Sequence, residues 1–269
     1  MPAADSKPTL WHLKVSHYSE KVRWALAHKS VEHIRRAPTP GAHMAYSLWL
    51  SRGRTVTFPV LELDGKRIPD STAIIAALEE RFPDPPLYPS DPAERRRALE
   101  LEDWFDEELG PNIRRLAFFE LRQDRARSQE ITAAALGVQS PLARRTADLF
   151  GRGFTAARFG AANPARARVA ETKTLAALDR LEAELGGNEY LVGDRFTVAD
   201  LTAAALFYPL VMPPEGPVAI DPVPAGFVRI RDPLIDRPGF RWVQEMFRRH
   251  RRPGSAPASA PAPAHAASP

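Results

Sequence analysis

The sequence contains no cysteine. Disulfides, thiolate metal sites, cysteine nucleophiles and Cys-x-x-Cys redox chemistry are therefore excluded, and any thiol chemistry must use a thiol that arrives with a ligand. Long apolar runs are also missing: none approaches the roughly 20 residues that span a bilayer. Met1 to Pro8 is short and polar, without the charged-then-apolar pattern of a secretory leader. The expected location is the cytoplasm, with no membrane partner. Lysine is scarce, since 31 of the 37 basic residues are arginine. The net charge is only +4 and both signs are mixed along the chain. No basic stretch is interleaved with aromatics, so nucleic acid is not an expected partner. The histidines His12, His17, His28 and His33 lack a carboxylate or third histidine at ligand spacing, so no metal site is expected.

What remains is an ordinary globular composition: 269 residues, 44% hydrophobic and 26% charged, enough for one large domain or two small ones. The most informative stretch is Val15 to Arg23. A strand-like run, Thr9 to Val15, stops at Ser16, and a run with helical spacing follows from Tyr18 to Lys29. A helix start exposes unpaired N–H groups and the positive end of the helix dipole. A hydroxyl there either caps the helix or helps hold an anion at its mouth. Ser16 and Ser19 both lie at this junction.

Further along, Val31 to Arg35 reads as a second strand and Ala42 to Ser51 as a short helix. Thr57 to Leu63 is a strand with Pro59 near its start, where a residue without a ladder donor is tolerated. Asp64-Gly65 is a two-residue hairpin signal leading to a strand at Lys66 to Ile68. Asp70-Ser71 then opens a helix. This β-α-β-(α)-β-β-α order describes a small α/β layer. Residues 83–89 hold four prolines and mark a join. Beyond it the pattern is helical: Ala93 to Arg122 with a kink at Pro111, Gln129 to Phe159, Pro164 to Leu185, Thr197 to about Tyr208, and Gly239 to His250. Thr197 with Asp200 three residues on is a capping box. The expected division is a flexible segment 1–8, an α/β domain 9–83, a linker 84–91, an all-helical domain 92–252 and a disordered Ala/Pro/Ser tail 253–269.

Taken in order, Ser16-x-x-Ser19-x-Lys21-Val22-Arg23, Phe58-Pro59-Val60-Leu61, Asp70-Ser71-Thr72-Ala73-Ile74 and Leu191-x-Gly193 with Phe196-Thr197-x-Ala199-Asp200 resemble the glutathione transferase superfamily. The resemblance is to a serine-type, bacterial member, with no subfamily assignable, and spans nearly the whole chain. It implies a thioredoxin-like N-terminal domain, an all-α C-terminal domain and a homodimer. It further implies a detoxification enzyme that activates glutathione, or another low-molecular-weight thiol, as co-substrate for attack on small hydrophobic electrophiles, with no permanently bound cofactor.

Carried over residue by residue, Ser16 is the thiolate stabiliser, with Ser19 as its alternate. Pro59, in the cis form, presents the Val60 backbone to the ligand's cysteinyl group. Asp70 and Ser71 hold its γ-glutamyl end, although both could equally be a plain helix cap. Thr197 and Asp200 are structural. The residue for the ligand's glycyl carboxylate is open among Arg52, Arg54 and Lys66. His17 is read as half-exposed and Tyr18 as filler at the domain interface. A second reading is a non-catalytic binding or assembly module on the same fold, motivated by the Arg-rich exterior, the proline-rich segment from Pro209 to Pro238 and the tail. A cleft plugged by the second domain would favour that module; an open cleft faced by Asp70 and Ser71 would favour the enzyme.

Overall fold

A computed structural model describes residues 7–38, 43–53, 56–136, 139–218, 223–251 and 260–261. The first third alternates strands and helices: β1 (Thr9–Trp11), α1 (His17–His28), β2 (Ile34–Ala37), α2 (His43–Ser51), β3 (Val60–Leu63), β4 (Lys66–Pro69) and α3 (Ser71–Arg81). In the sheet the order is β4-β3-β1-β2. β1 runs parallel to β2, with Leu10 beside Arg35, and antiparallel to β3, with Leu10 opposite Leu61. The β3–β4 connection has Asp64 and Gly65 at φ 48° and 76°, the twist a two-residue hairpin requires.

The second strand begins later than Val31. Ser30 turns left-handed at φ 53°, and the Val31 N–H returns to the Leu26 carbonyl at 2.9 Å, so residues 29–33 serve the helix exit. Of the tail expected to be disordered, only Ala260–Pro261 lies within the described residues. It forms a two-residue strand, β5, parallel to the outer edge of β2.

The rest is helical: α4 (Pro92–Trp104), a π-helical turn (Phe105–Leu109), α5 (Gly110–Gln123), α6 (Arg125–Leu136), α7 (Pro141–Phe159), α8 (Pro164–Leu185), α9 (Val198–Val211), α10 (Ala225–Arg231) and α11 (Pro238–His250). The protein therefore has a thioredoxin-like N-terminal domain followed by an all-helical C-terminal domain. Every residue of α9 is buried, and this apolar rod is the axis of the core. Trp24 of α1 packs between Phe196 and Phe247, with ring centroids 5.7 and 4.5 Å away, so the two domains share one hydrophobic interior. The short helix α10 was not expected. At seven residues between Pro224 and Pro233 it is too brief for helical spacing to register.

Pro111 does more than kink a single long helix. It has no N–H, and just before it the ladder widens, so the Gly110 N–H bonds to the Phe105 carbonyl five residues back. That frees the Asp106 carbonyl, which accepts a 2.7 Å hydrogen bond from the Tyr18 hydroxyl. Tyr18 lies so close to Gly110 that a Cβ there would sit 2.1 Å from the phenolic oxygen. Tyr18 does fill the domain interface, and glycine is needed at 110 to let it in.

Candidate functional site

The loop between β1 and α1 is fastened from three directions. Arg23 donates to the Leu13 and Lys14 carbonyls at 3.3 and 3.0 Å, and Tyr208 of α9 donates to the Val15 carbonyl at 3.3 Å. The Ser19 hydroxyl accepts the Leu13 N–H at 3.3 Å. Arg23 is itself held by Glu20, which also accepts from Arg251 at 2.5 Å. Burial would raise the Glu20 carboxyl, but these two guanidiniums outweigh it and keep it below its ordinary range.

Ser16 is the N-cap of α1, and its Oγ accepts the Ser19 N–H at 3.2 Å. Its own hydroxyl hydrogen has no acceptor among the described residues. Ser19 has no exposed surface and serves the loop from beneath, whereas Ser16 lines a cavity. His17 is not half-exposed: it is 3% exposed, with Nε2 3.1 Å from the Gly110 carbonyl. Burial, with Arg114 nearby, lowers its pKa to about 3, so it is a neutral imidazole packed against Gly110.

Two cavities adjoin one another at Thr57, Phe58 and Arg114, and this loop lines the second of them. The first is a cleft of about 650 Å³ between the domains, where Pro59, Asp70 and Ser71 come together with Asp103, Asp106, Glu107 and Arg158. The Phe58–Pro59 peptide is cis. Asp70 stands at φ 79°, a conformation uncommon outside glycine and concentrated at functional sites. Its Oδ1 caps α3, accepting the Thr72 and Ala73 N–H groups at 3.0 and 3.1 Å. Capping and lining the cleft are thus compatible at this residue. Ser71 is largely buried, yet it lines the same cleft.

Val60 does not join them. It has no exposed surface and sits in the middle of the sheet, flanked by Trp11 and Pro69. The backbone that reaches the cleft is Thr57-Phe58-Pro59, one step earlier, because the ladder begins at Val60 and occupies it. Arg52 and Lys66 are exposed away from the cleft, and Arg54 lies outside the described residues. The cations that do line it are Arg114 and Arg158.

Beneath the cleft floor, Lys21 is fully buried and bonded to Asp106 at 2.5 Å, Glu102 at 2.8 Å and Thr72 Oγ1 at 3.0 Å. Burial would lower the ammonium, but the two carboxylates outweigh it and keep it charged. This cluster ties α1, α3 and α4 together, so the cleft walls are set against one another by charge.

The second cavity, about 210 Å³, is largely apolar and lies between the loop bearing Ser16 and helices α5, α6 and α7. Phe118, Leu121, Ile131, Phe154 and Phe159 contribute to its walls. Arg114 stands at its junction with the cleft, its guanidinium 4.1 Å from the Phe159 ring and 5.7 Å from that of Tyr18. Burial lowers its proton affinity. Sequence reasoning missed Arg114. With 31 arginines, one more at helical spacing reads as a solvated face, and only the meeting of α5 with α1 sets it apart.

Far from both cavities, the fully buried Asp200 carboxylate accepts the Thr197 N–H and hydroxyl at 2.8 and 2.9 Å, and the Leu191 N–H at 2.8 Å. Thr197 and Asp200 thus hold the start of α9.

Residues 10–86 match the family model "Glutathione S-transferase, N-terminal domain" and residues 148–225 match "Glutathione S-transferase, C-terminal domain". A probable maleylacetoacetate isomerase from Caenorhabditis elegans is 36% identical over 95 residues, which are 35% of this chain and 44% of that protein. The chain spans less than half the length of the curated relatives it matches. Among solved structures, a beta-etherase from Sphingobium sp. strain SYK-6 superposes with a TM-score of 0.59 at 21% identity, covering 89% of this chain and 99% of that one. A theta class glutathione S-transferase from Xanthomonas axonopodis pv. citri, solved with glutathione bound, gives 0.56 at 21% identity, covering 88% and 96%. At such identities the structural likeness establishes the fold alone. With both domain models matched in order around a thioredoxin-like and an all-helical half, the chain belongs to the glutathione S-transferase superfamily.

Proposed function

We propose that this protein is a glutathione transferase-like enzyme, which activates glutathione or a related small thiol for attack on a small electrophile. The observation that carries this reading is the Ser16 hydroxyl: its oxygen accepts, its hydrogen has no acceptor among the described residues, and it lines the apolar cavity that borders the cleft at Thr57, Phe58 and Arg114. A thiol ligand lying in the cleft would set its ammonium end near Asp70 and its carboxylates near Ser71, Arg114 and Arg158. Its sulfur would then point past Thr57 and Phe58 toward Ser16. A free thiol has a pKa near 8.5. The Ser16 O–H, the first turn of α1 and the Arg114 charge would all favour thiolate over thiol, and the electrophile would occupy the apolar cavity. The open cleft also speaks for an enzyme rather than for a plugged binding module.

Calorimetric titration with glutathione, alongside turnover of a chlorinated aromatic substrate, tests the proposal. Wild-type protein should bind the thiol, and Ser16→Ala should lower turnover by about one to three powers of ten, as for removal of one preorganised donor. If wild-type protein neither binds glutathione nor turns over the substrate, the enzyme reading fails.

A further inference from the structure

The apolar cavity has an unusual charge inventory. Four of its lining residues are cationic, Lys14, Arg114, Arg122 and Arg152, and no Asp or Glu lines it. Arg122 of α5 and Arg152 of α7 face each other across its inner wall. Each donates to the other's backbone carbonyl, at 2.6 and 2.9 Å, which fixes both guanidiniums in place. Among the described residues, no carboxylate lies within ion-pair distance of Arg114, Arg122 or Arg152. Asp148, which acts on Arg122 through space, is buried and accepts the Ser128 hydroxyl at 2.5 Å. Burial and the adjacent Arg152 both push the Arg122 proton affinity down, and Asp148 only partly offsets them. Like charges held together beside apolar walls are costly unless an anion arrives to share them. The neighbouring cleft is the reverse: it carries Asp70, Asp103, Asp106 and Glu107.

We infer that the apolar cavity selects organic anions: aromatic or aliphatic electrophiles bearing a carboxylate or sulfonate, whose charged group is held by Arg122 and Arg152. Calling this molecule the electrophile rests on the enzymatic reading above; the cavity's preference for an anion does not. A planar guanidinium pair suits a two-oxygen anion, since each can offer N–H donors in a fixed fork. The rings of Phe118 and Phe154 supply the apolar surface for the rest of the molecule.

The test compares two matched probes on the full chain by calorimetry: naphthalene-2-carboxylate and its neutral amide. The carboxylate should bind about tenfold more tightly or better, the worth of one charge-assisted hydrogen bond. Raising the salt concentration should weaken the carboxylate and leave the amide unchanged. The double variant Arg122→Gln with Arg152→Gln should bring the two probes within about twofold, and Arg122→Lys with Arg152→Lys should recover part of the preference. Equal affinities in the wild type, a preference that survives the double glutamine variant, or no binding of either probe would each overturn the inference. A separate glutathione titration keeps the two claims apart. Loss of thiol binding with the anion preference intact removes the enzyme and leaves the pocket; the opposite pattern does the reverse.

Discussion

Ser16 and Thr197 are both hydroxyl residues that open a helix, and the difference between them separates a candidate site from a structural joint. The Thr197 hydroxyl donates to a fully buried carboxylate that also takes two backbone N–H groups, so the polar groups of Thr197 and Asp200 are committed to one another. The Ser16 hydroxyl accepts one N–H and stands at a cavity, and among the described residues nothing accepts its hydrogen. Capping chemistry is the same at both. What distinguishes them is where the surrounding polar groups end, in a closed set at Asp200 and in an open one at Ser16.

The largest effect expected from breaking this contrast is at the closed end. Asp200→Ala would leave three buried donors unmatched and should cost about 3–5 kcal/mol of stability. Urea unfolding would measure it, and glutathione affinity of the folded fraction should not change. At the open end Ser16→Ala, which should cut turnover so heavily, should lower stability by only about 1 kcal/mol in the same assay. A stability loss at Ser16 as large as that at Asp200 would erase the distinction.

The two corners should also respond to pH in opposite senses. His17 has a native pKa lowered from 6.5 to about 3 by burial and by Arg114, so the unfolded chain binds the extra proton and stability falls as pH drops through that window. Asp200 has a native pKa raised from 3.8 to about 6 by burial, so the folded chain binds the extra proton and stability falls as pH rises toward 6. Urea unfolding between about pH 4 and pH 6 separates them. Relative to wild type, the slope of stability against pH should become shallower in His17→Gln and steeper in Asp200→Asn, each by up to ~1.4 kcal/mol per pH unit. The smallest effect concerns the loop itself. Tyr208→Phe removes one support of the Val15 carbonyl and should cost about 1 kcal/mol, with a modest drop in turnover as Ser16 loosens.

Much of this was readable from residues alone, for physical reasons. Caps, hairpins and proline positions depend on neighbours in sequence, so Ser16, Asp64-Gly65, Asp70, Thr197 and Asp200 declare themselves locally. Ser19 could not be separated from Ser16, because which hydroxyl points inward depends on the Leu13 N–H folding back over α1. Val60 was one step from the backbone that lines the cleft, since where the ladder begins is decided by pairing with β1 and β4. Arg114, Arg122 and Arg152 were invisible because charge at helical spacing says nothing until α5, α6 and α7 converge. His17 looked half-exposed until the turn at Gly110 came down over it.

That turn has a consequence for how this pocket could change over time. A π-helical turn holds one more residue than the α-helical ladder it interrupts. Deleting a single position between Phe105 and Leu109 would rejoin the ladder and leave α5 in its present phase, whereas deleting one between Gly110 and Arg114 would rotate everything downstream by about 100° around the axis of α5. Arg114, Phe118, Leu121 and Arg122 line the pocket together because they share one phase of that helix. The same one-codon loss is therefore absorbed in the π-helical turn, yet a few residues later it would turn all four away at once, replacing the pocket's lining without altering any residue in it.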